Sequence, residues 1–293
     1  MQFRTDLVVE TGEQLTQTAH PLPEGVERET AEKDNARITR IRITDDAGAQ
    51  ALGKPPGTYI TVEVPPLSDN AKTLEAFAET IGAELTTLLP PEGTVLVVGL
   101  GNRSITPDAL GPEAARMVLA TRHIEGEFAR STGLDDLRPT VVLSPGVLGQ
   151  TGVESGEVVR GLCDIVHPCA VIAIDALAAR SVERLGCTVQ MCDTGIAPGA
   201  GVGNNRKLLS RENLGVPVIG MGVPTVVDAR TIAVELTGDE RAEQKVTAGG
   251  MLMMVTPREI DLLIDRAARL VAMAVNAALQ PDYSPAELIS VAL

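Results

Sequence analysis

Val97–Pro112 reads VVGLGNRSITPDALGP, and the fold is decided there. The apolar run Thr94–Leu100 is Val-rich and bounded by Gly93 and Gly101. Such a run predicts a strand buried on both faces in a parallel sheet. A polar turn follows, with one acid, Asp108, just before a helix predicted to open at Gly111-Pro112, where the first turn tolerates proline. A carboxylate beyond the C-terminal end of a strand sits where open α/β sheets build their sites. A second acid, Asp175, closes the next long apolar run, Ala170–Ile174. Burying an unpaired carboxylate is costly, so each acid needs a partner or a task. Either acid alone reads equally well as the N-cap of the helix that follows. Two such acids at two sheet ends shift the balance toward chemistry. Neighbouring carboxylates repel, and one then keeps its proton near neutrality. The pair supplies an acid and a base, suited to activating water and protonating a leaving amine.

Working outward, strands are predicted at 37–44, 59–64, 141–143, 170–174, 188–192 and 216–221. Helices are predicted at 74–88, 112–124, 154–166, 176–185 and 228–236. Thr256-Pro257-Arg258-Glu259 has capping-box spacing and is expected to open a last helix running to about Leu279. Alternating strands and helices imply an α/β fold with a mostly parallel sheet covered on both faces. Three regions are expected: an N-terminal arm over 1–35, a small antiparallel β subdomain over 36–70, and a main α/β catalytic domain over 71–293.

The chain has 293 residues, 44% hydrophobic, with no Trp, two Tyr and three Phe, so its core is built from aliphatic side chains. Its formal charge of −14 repels nucleic acid and anionic membrane. No apolar run approaches ~18 residues, so no spanning helix is expected. The N-terminus lacks the layout of a signal peptide. Cys163, Cys169, Cys187 and Cys192 show no C-x-x-C spacing, and His20, His123 and His167 are scattered. Reduced thiols in a cytoplasmic protein are expected, with no metal site and no cofactor. Gly195–Lys207, GIAPGAGVGNNRK, exposes backbone amides but fits neither phosphate-binding fingerprint. It is read as a substrate-lining loop, with Asp193, Arg206 and Lys207 as candidate substrate contacts. Ser104 and Ser144 lack a nucleophile-elbow frame.

Several blocks closely resemble the germination proteases of spore-forming bacteria. They include RTDLVVE at 4–10, the 97–112 stretch, SPGVLGQTGVES at 144–155, AIDALAARSVERL at 173–185 and DTGIAPGAGVGNNRK at 193–207. GVPVIGMGVPTVVDA at 215–229 and MVTPREID at 254–261 complete the set. The resemblance implies an endopeptidase that degrades small acid-soluble spore proteins during germination, in the spore core. It implies an aspartate-dependent mechanism, with Asp108 and Asp175 on the matching positions, and a fold akin to the hydrogenase-maturation endopeptidases. It also implies a homotetramer made as a zymogen, with self-processing between Asp6 and Leu7. Family members carry a longer prosegment before this motif and a longer charged insertion before the MVTP block, here reduced to about Leu236–Gly249. A six-residue arm is therefore expected to be a weak lock. A metal-assisted maturation endopeptidase, a catalytically silent binding paralogue and a nucleotide-binding enzyme are the competing readings.

Overall fold

Val95–Gly99 forms a strand, β4, buried along its whole length. The computed structural model describes residues 5–11, 22–67, 74–199, 208–239, 241–242, 246 and 253–292. It places β4 in one nine-stranded sheet of order β1-β2-β3-β7-β8-β6-β4-β5, with β9 pairing β8. The strands are β1 Val26–Lys33, β2 Ala36–Ile43, β3 Gly57–Glu63, β5 Thr140–Leu143, β6 Ala170–Ala179, β7 Thr188–Cys192, β8 Val218–Asp228 and β9 Met254–Val255. β5, β4, β6 and β8 are mutually parallel. β7 turns against β8, and β3, β2 and β1 continue antiparallel from it. β1, β3, β4, β5, β6 and β8 therefore point one way, in an α/β fold. The antiparallel strands and the parallel ones share a single hydrogen-bonded sheet.

Helices cover both faces. On one, Leu74–Leu88 and Ile260–Leu279 pack against Val95, Val97, Ile172, Ile174, Met191 and Met221. The expected spacing of Leu74, Phe77, Ala78, Ile81 and Leu85 gives the first helix its buried stripe. On the other face, Val159 and Cys163 of helix Ser155–Val166 cover Leu96, Val98, Val171 and Ala173. Further along that face lie two smaller clusters. Val8 joins Ile41, Ile43, Leu52, Tyr59 and Cys192, while Leu7 and Val9 join Leu177, Ala179 and Val227.

Four expectations are corrected. Residues 26–33, assigned to a loose arm, form β1, because the hairpin at Asp34-Asn35 pairs them with β2 through their full length. Residues 176–179, expected as helix, extend β6 straight through Asp175, because β8 is equally long and buried and pairs with them up to Ala179↔Val227. Only a 3₁₀ turn, Val182–Arg184, follows. The helix expected over 112–124 spans Leu110–Arg116. Past it, Leu119 N–H donates to Asn276 Oδ1 (3.0 Å), Asn276 Nδ2 donates to Met117 O (3.1 Å), and Thr121 N–H goes to Thr140 O. Tertiary partners thus take the backbone groups that further helix needs. The last helix begins at Ile260, and Glu259 caps nothing through its side chain. β9 holds the preceding residues extended against Val227–Asp228. The four cysteines are thiols.

Candidate active site

Asp175 lies within β6, not at its end, and is 4% exposed. It pairs laterally with Gly222 of β8, which pairs with Gln190 of β7. Residues side by side across a sheet face the same way. The row therefore reads carboxylate, no side chain, amide, and Leu177 and the Asp175 backbone pack where a side chain on Gly222 would stand. An added Cβ on Gly222 would sit 2.2 Å from the Asp175 carbonyl oxygen and 2.8 Å from Leu177 Cγ. Asp175 Oδ1 accepts from Ala176 N–H at 2.9 Å and Oδ2 from Gly199 N–H at 3.4 Å. Burial first, and the Asp108 charge second, push its carboxyl up to about 7. The two amide donors oppose this rise without cancelling it.

Asp108 reaches the same place on a loop. β4 ends at Gly99, and Leu100 N–H donates to Ile174 O at 2.8 Å, so the chain leaves β4 beside Asp175. The loop then folds back in a 3₁₀ turn, Thr106–Asp108. Asp108 Oδ2 accepts from Asn102 N–H at 2.7 Å. Thr225 Oγ1, from β8, donates to Pro107 O at 2.8 Å and ties the turn down. Gly101 is required here: its φ is +118°, and a Cβ would meet the Asp108 carbonyl oxygen at 2.0 Å. Asp108 and Asp175 line one cavity of about 370 Å³, walled by Ile105, Val147, Val226 and Met254. A carboxyl raised to about 7 beside a second carboxyl is an arrangement that can exchange protons with water and with a departing nitrogen.

A second cavity, about 230 Å³, opens on the other side of Asp175 and holds Asp6, Lys54, Tyr59, Gln190 and Cys192. The amino-terminal stretch runs along it. Asp6 N–H donates to Ala178 O, and Ala178 N–H donates to Asp6 Oδ2 at 2.8 Å. Gln190 Nε2 donates to Asp6 O at 2.8 Å, and Gln190 Oε1 accepts Val8 N–H at 2.8 Å. Leu7, Val8 and Val9 are fully buried. Glu10 continues the tie by accepting from Arg180 N–H and Ser181 N–H. Burial raises the Asp6 carboxyl, while the Ala178 amide and then Lys54 lower it. The Asp6 charge in turn adds a small rise to Asp175.

The structure thus brings together Asp108, Asp175, Asp6 and Leu7. It leaves Asp193 apart: exposed, lining neither cavity, its Oδ1 accepts Thr58 N–H at 2.8 Å and fastens the start of β3 to the end of β7. Arg206 and Lys207 lie outside the described residues. Sequence reading missed Lys54, Gln190 and Gly222. Lys54 reads as part of the turn Lys54-Pro55-Pro56-Gly57, Gln190 falls inside the strand expected over 188–192, and Gly222 lies just past the strand expected over 216–221. The signal for Gln190 is a lone amide in TVQMC, a strand buried along its length. Among the described residues no group of three or more His, Cys, Asp or Glu is arranged to hold a metal ion. Among them, too, no helix is long and apolar enough to cross a membrane.

The germination protease family's sequence profile matches residues 4–239. A germination protease of Caldanaerobacter subterraneus subsp. tengcongensis is 40% identical over 317 aligned residues, covering 98% of this chain and 97% of the relative. One from Clostridium perfringens is 39% identical, covering 95% of each. One from Priestia megaterium is 36% identical, covering 95% of this chain and 94% of the relative. Among solved structures, the [NiFe] hydrogenase maturation protease HycI of Thermococcus kodakarensis KOD1 shows a slight likeness, with TM-score 0.37 and 17% identity, over 66% of this chain and 98% of that one. By profile and by near full-length identity this chain belongs to the germination protease family and is an endopeptidase.

Proposed function

We propose that this endopeptidase hydrolyses small acid-soluble spore proteins in the spore core during germination, with Asp108 and Asp175 as its catalytic pair. The observation that carries the reading is Asp175, a buried carboxyl held up to about 7 in a cavity that it shares with Asp108. In this mechanism ionised Asp108 takes a proton from water as the water oxygen bonds to the peptide carbonyl carbon. Protonated Asp175 gives its proton to the nitrogen as the C–N bond breaks. The pair then still holds one proton, now on Asp108, and its transfer to Asp175 restores the starting state. The two carboxyls titrate as a coupled pair, so the rate profile reports two apparent values that belong to both. The net charge of −14 keeps the enzyme itself off DNA and suits it to protein substrates.

Self-processing, in the same reading, falls between Asp6 and Leu7. Cleavage there releases residues 1–6, while Leu7, Val8 and Val9 stay buried in the core. A homotetramer completes the proposal, by family membership. The deciding experiment is digestion of a purified small acid-soluble spore protein, with cut sites read by mass spectrometry and the assembly state by sedimentation. Discrete cuts, lost in Asp108→Asn and Asp175→Asn, are expected. An intact substrate, or cuts that survive both substitutions, defeats the proposal.

A further inference from the structure

β8 carries an irregularity beside the candidate site. Asp175 pairs with Gly222 and Leu177 with Pro224, but Ala178 pairs with Val226. Thr225 is therefore the extra residue of a β-bulge, with no residue of β6 opposite it. In a regular ladder it would stand opposite Ala178 and point the same way. The bulge releases it from that row and re-aims its side chain. Pro224 marks the place in the sequence, since a proline inside a strand settles at bulges, having no N–H for the ladder. Its carbonyl accepts Gly186 N–H at 3.0 Å.

Thr225 is fully buried, and its Oγ1 donates to Pro107 O at 2.8 Å. Pro107 is the middle residue of the 3₁₀ turn Thr106–Asp108, just before the acid. Thr225 also lines the cavity that holds Asp108 and Asp175. Three further bonds shape the loop: Asp108 N–H to Ile105 O at 2.8 Å, Asn102 N–H to Asp108 Oδ2 at 2.7 Å, and Gln150 Nε2 to Asn102 Oδ1 at 2.8 Å. None of those three reaches β6 or β8. The Thr225 bond joins the turn to the strand that is paired with Asp175. A hydroxyl–carbonyl bond closed off from water is strong, and its acceptor is costly to leave unmet. We propose that Thr225 is a positioning residue of the catalytic pair, its hydroxyl turned by the bulge onto Pro107 so that Asp108 is set against Asp175. The inference rests on the catalytic-pair reading above and adds β8 to β4 and β6 as a strand that builds the centre. The plainer account is a core threonine satisfied by the nearest carbonyl. It predicts a loss of stability alone.

The test compares Thr225→Val, which keeps the shape and removes the hydroxyl, with Thr225→Ser, which keeps the hydroxyl. The full-length proteins are assayed on a small acid-soluble spore protein below their melting temperatures, with rates taken per folded molecule. Asp108→Asn and Asp175→Asn run alongside. Thr225→Val should lower kcat ~10–100-fold with KM little changed, the scale of a catalytic group displaced by about an ångström. Thr225→Ser should recover most of that loss. The pH profile supplies a readout that a purely structural role leaves in place. The charges acting on the Asp175 carboxyl are Asp108 and, more weakly, Asp6, and both raise it. With Asp108 drawn off and Asp6 in place, the upper apparent value of the rate profile should fall in Thr225→Val and return in Thr225→Ser. Parental kcat in Thr225→Val overturns the inference. So does a lowered kcat with the upper value unmoved or raised, or a Ser variant as impaired as the Val one. If cleavage survives Asp108→Asn and Asp175→Asn, the pair reading fails and the positioning role falls with it. If both abolish cleavage and Thr225→Val matches the parent, the positioning role alone fails. A parent that leaves the substrate intact defeats both.

Discussion

Asp108 and Asp6 both act on Asp175, from opposite sides, and they are held in opposite ways. Asp108 is fixed by its own loop: its carboxylate accepts from Asn102, six residues earlier, and Gly101 packs against its carbonyl. From elsewhere, the Thr225 hydroxyl donates to Pro107 O and Gln150 Nε2 donates to Asn102 Oδ1. Asp6 is fixed by segments far away in sequence. Its partners are Ala178 of β6, Gln190 of β7 and Lys54. Asp108 also shares a cavity of about 370 Å³ with Asp175, walled by apolar groups. Asp6 lines a smaller cavity of about 230 Å³, its backbone bonded to Ala178 and Gln190. The difference is what supports Asp108, and not Asp6, as the proposed partner of Asp175: the Asp6 carboxylate and backbone are spent on holding the chain.

That contrast breaks most visibly in activity. Asp108→Asn should lower peptidase turnover by ~10³-fold or more, the scale of losing a general base. Asp6→Asn should leave cleavage of an added substrate within a few-fold. Equal losses in the two variants, measured on one substrate at saturating concentration, would erase the distinction.

Stability against pH sharpens it next. The folded Asp175 carboxyl titrates at about 7, against 3.8 in an ordinary setting. Between those values the native state binds the extra proton, so this group's contribution falls as pH rises, and the full penalty stands above about 7. Asp175→Asn should therefore unfold at higher denaturant than the parent at pH 8, by at most about 4 kcal/mol. The gain should vanish near pH 4. Asp6→Asn should show the same sign, because burial outweighs the Ala178 bond and the Lys54 charge that oppose it. A gain that grows on acidification would contradict the assigned direction.

Two glycines separate the sides by packing. Gly222→Ala puts a methyl against the Asp175 backbone and Leu177 and should cost ~1–3 kcal/mol, as overpacking does. Gly101→Ala forces φ of +118° on a residue with a side chain and pushes Asp108 away. Its expected signature is lost activity out of proportion to lost stability. Thermal melts beside initial rates distinguish the two.

The smallest effect concerns the pair's titration. Removing the Asp6 charge takes away the least of the influences raising Asp175. Asp6→Asn should accordingly move the upper apparent value of the rate profile slightly down. An upward move would mean that Asp6 is not felt as a like charge.

Much of the site was legible in the chain. Val95–Gly99 announces a buried strand because its apolar run is continuous, and Asp108 follows on a loop whose bonds are local. Asp175 stood out because an acid in an apolar run needs a reason. Its setting was misjudged, however. AIDALAARS has helix-forming composition past the acid, yet Ala176–Ala179 continue as strand. Propensity is a weak local preference, and the full ladder to β8, with Asp6 bonding Ala178 beyond it, overrides that preference. The arm was misread for a related cause. VERETAEK carries no apolar alternation because it lies at the sheet edge, so only its pairing with β2 reveals a strand.

The sequence by itself determined the family, the alternation of strands and helices, and the two acids set beside the central strands. Those features rest on interactions within a few residues, or on a burial pattern that composition reports directly. Tertiary structure alone decided that Gly222 stands between Asp175 and Gln190 in one row across the sheet, and that Lys54 and the amino terminus meet beside that row. Such features join separate stretches of chain, Asp6 and Gln190 across 184 positions, through a sheet register that no local run of residues encodes.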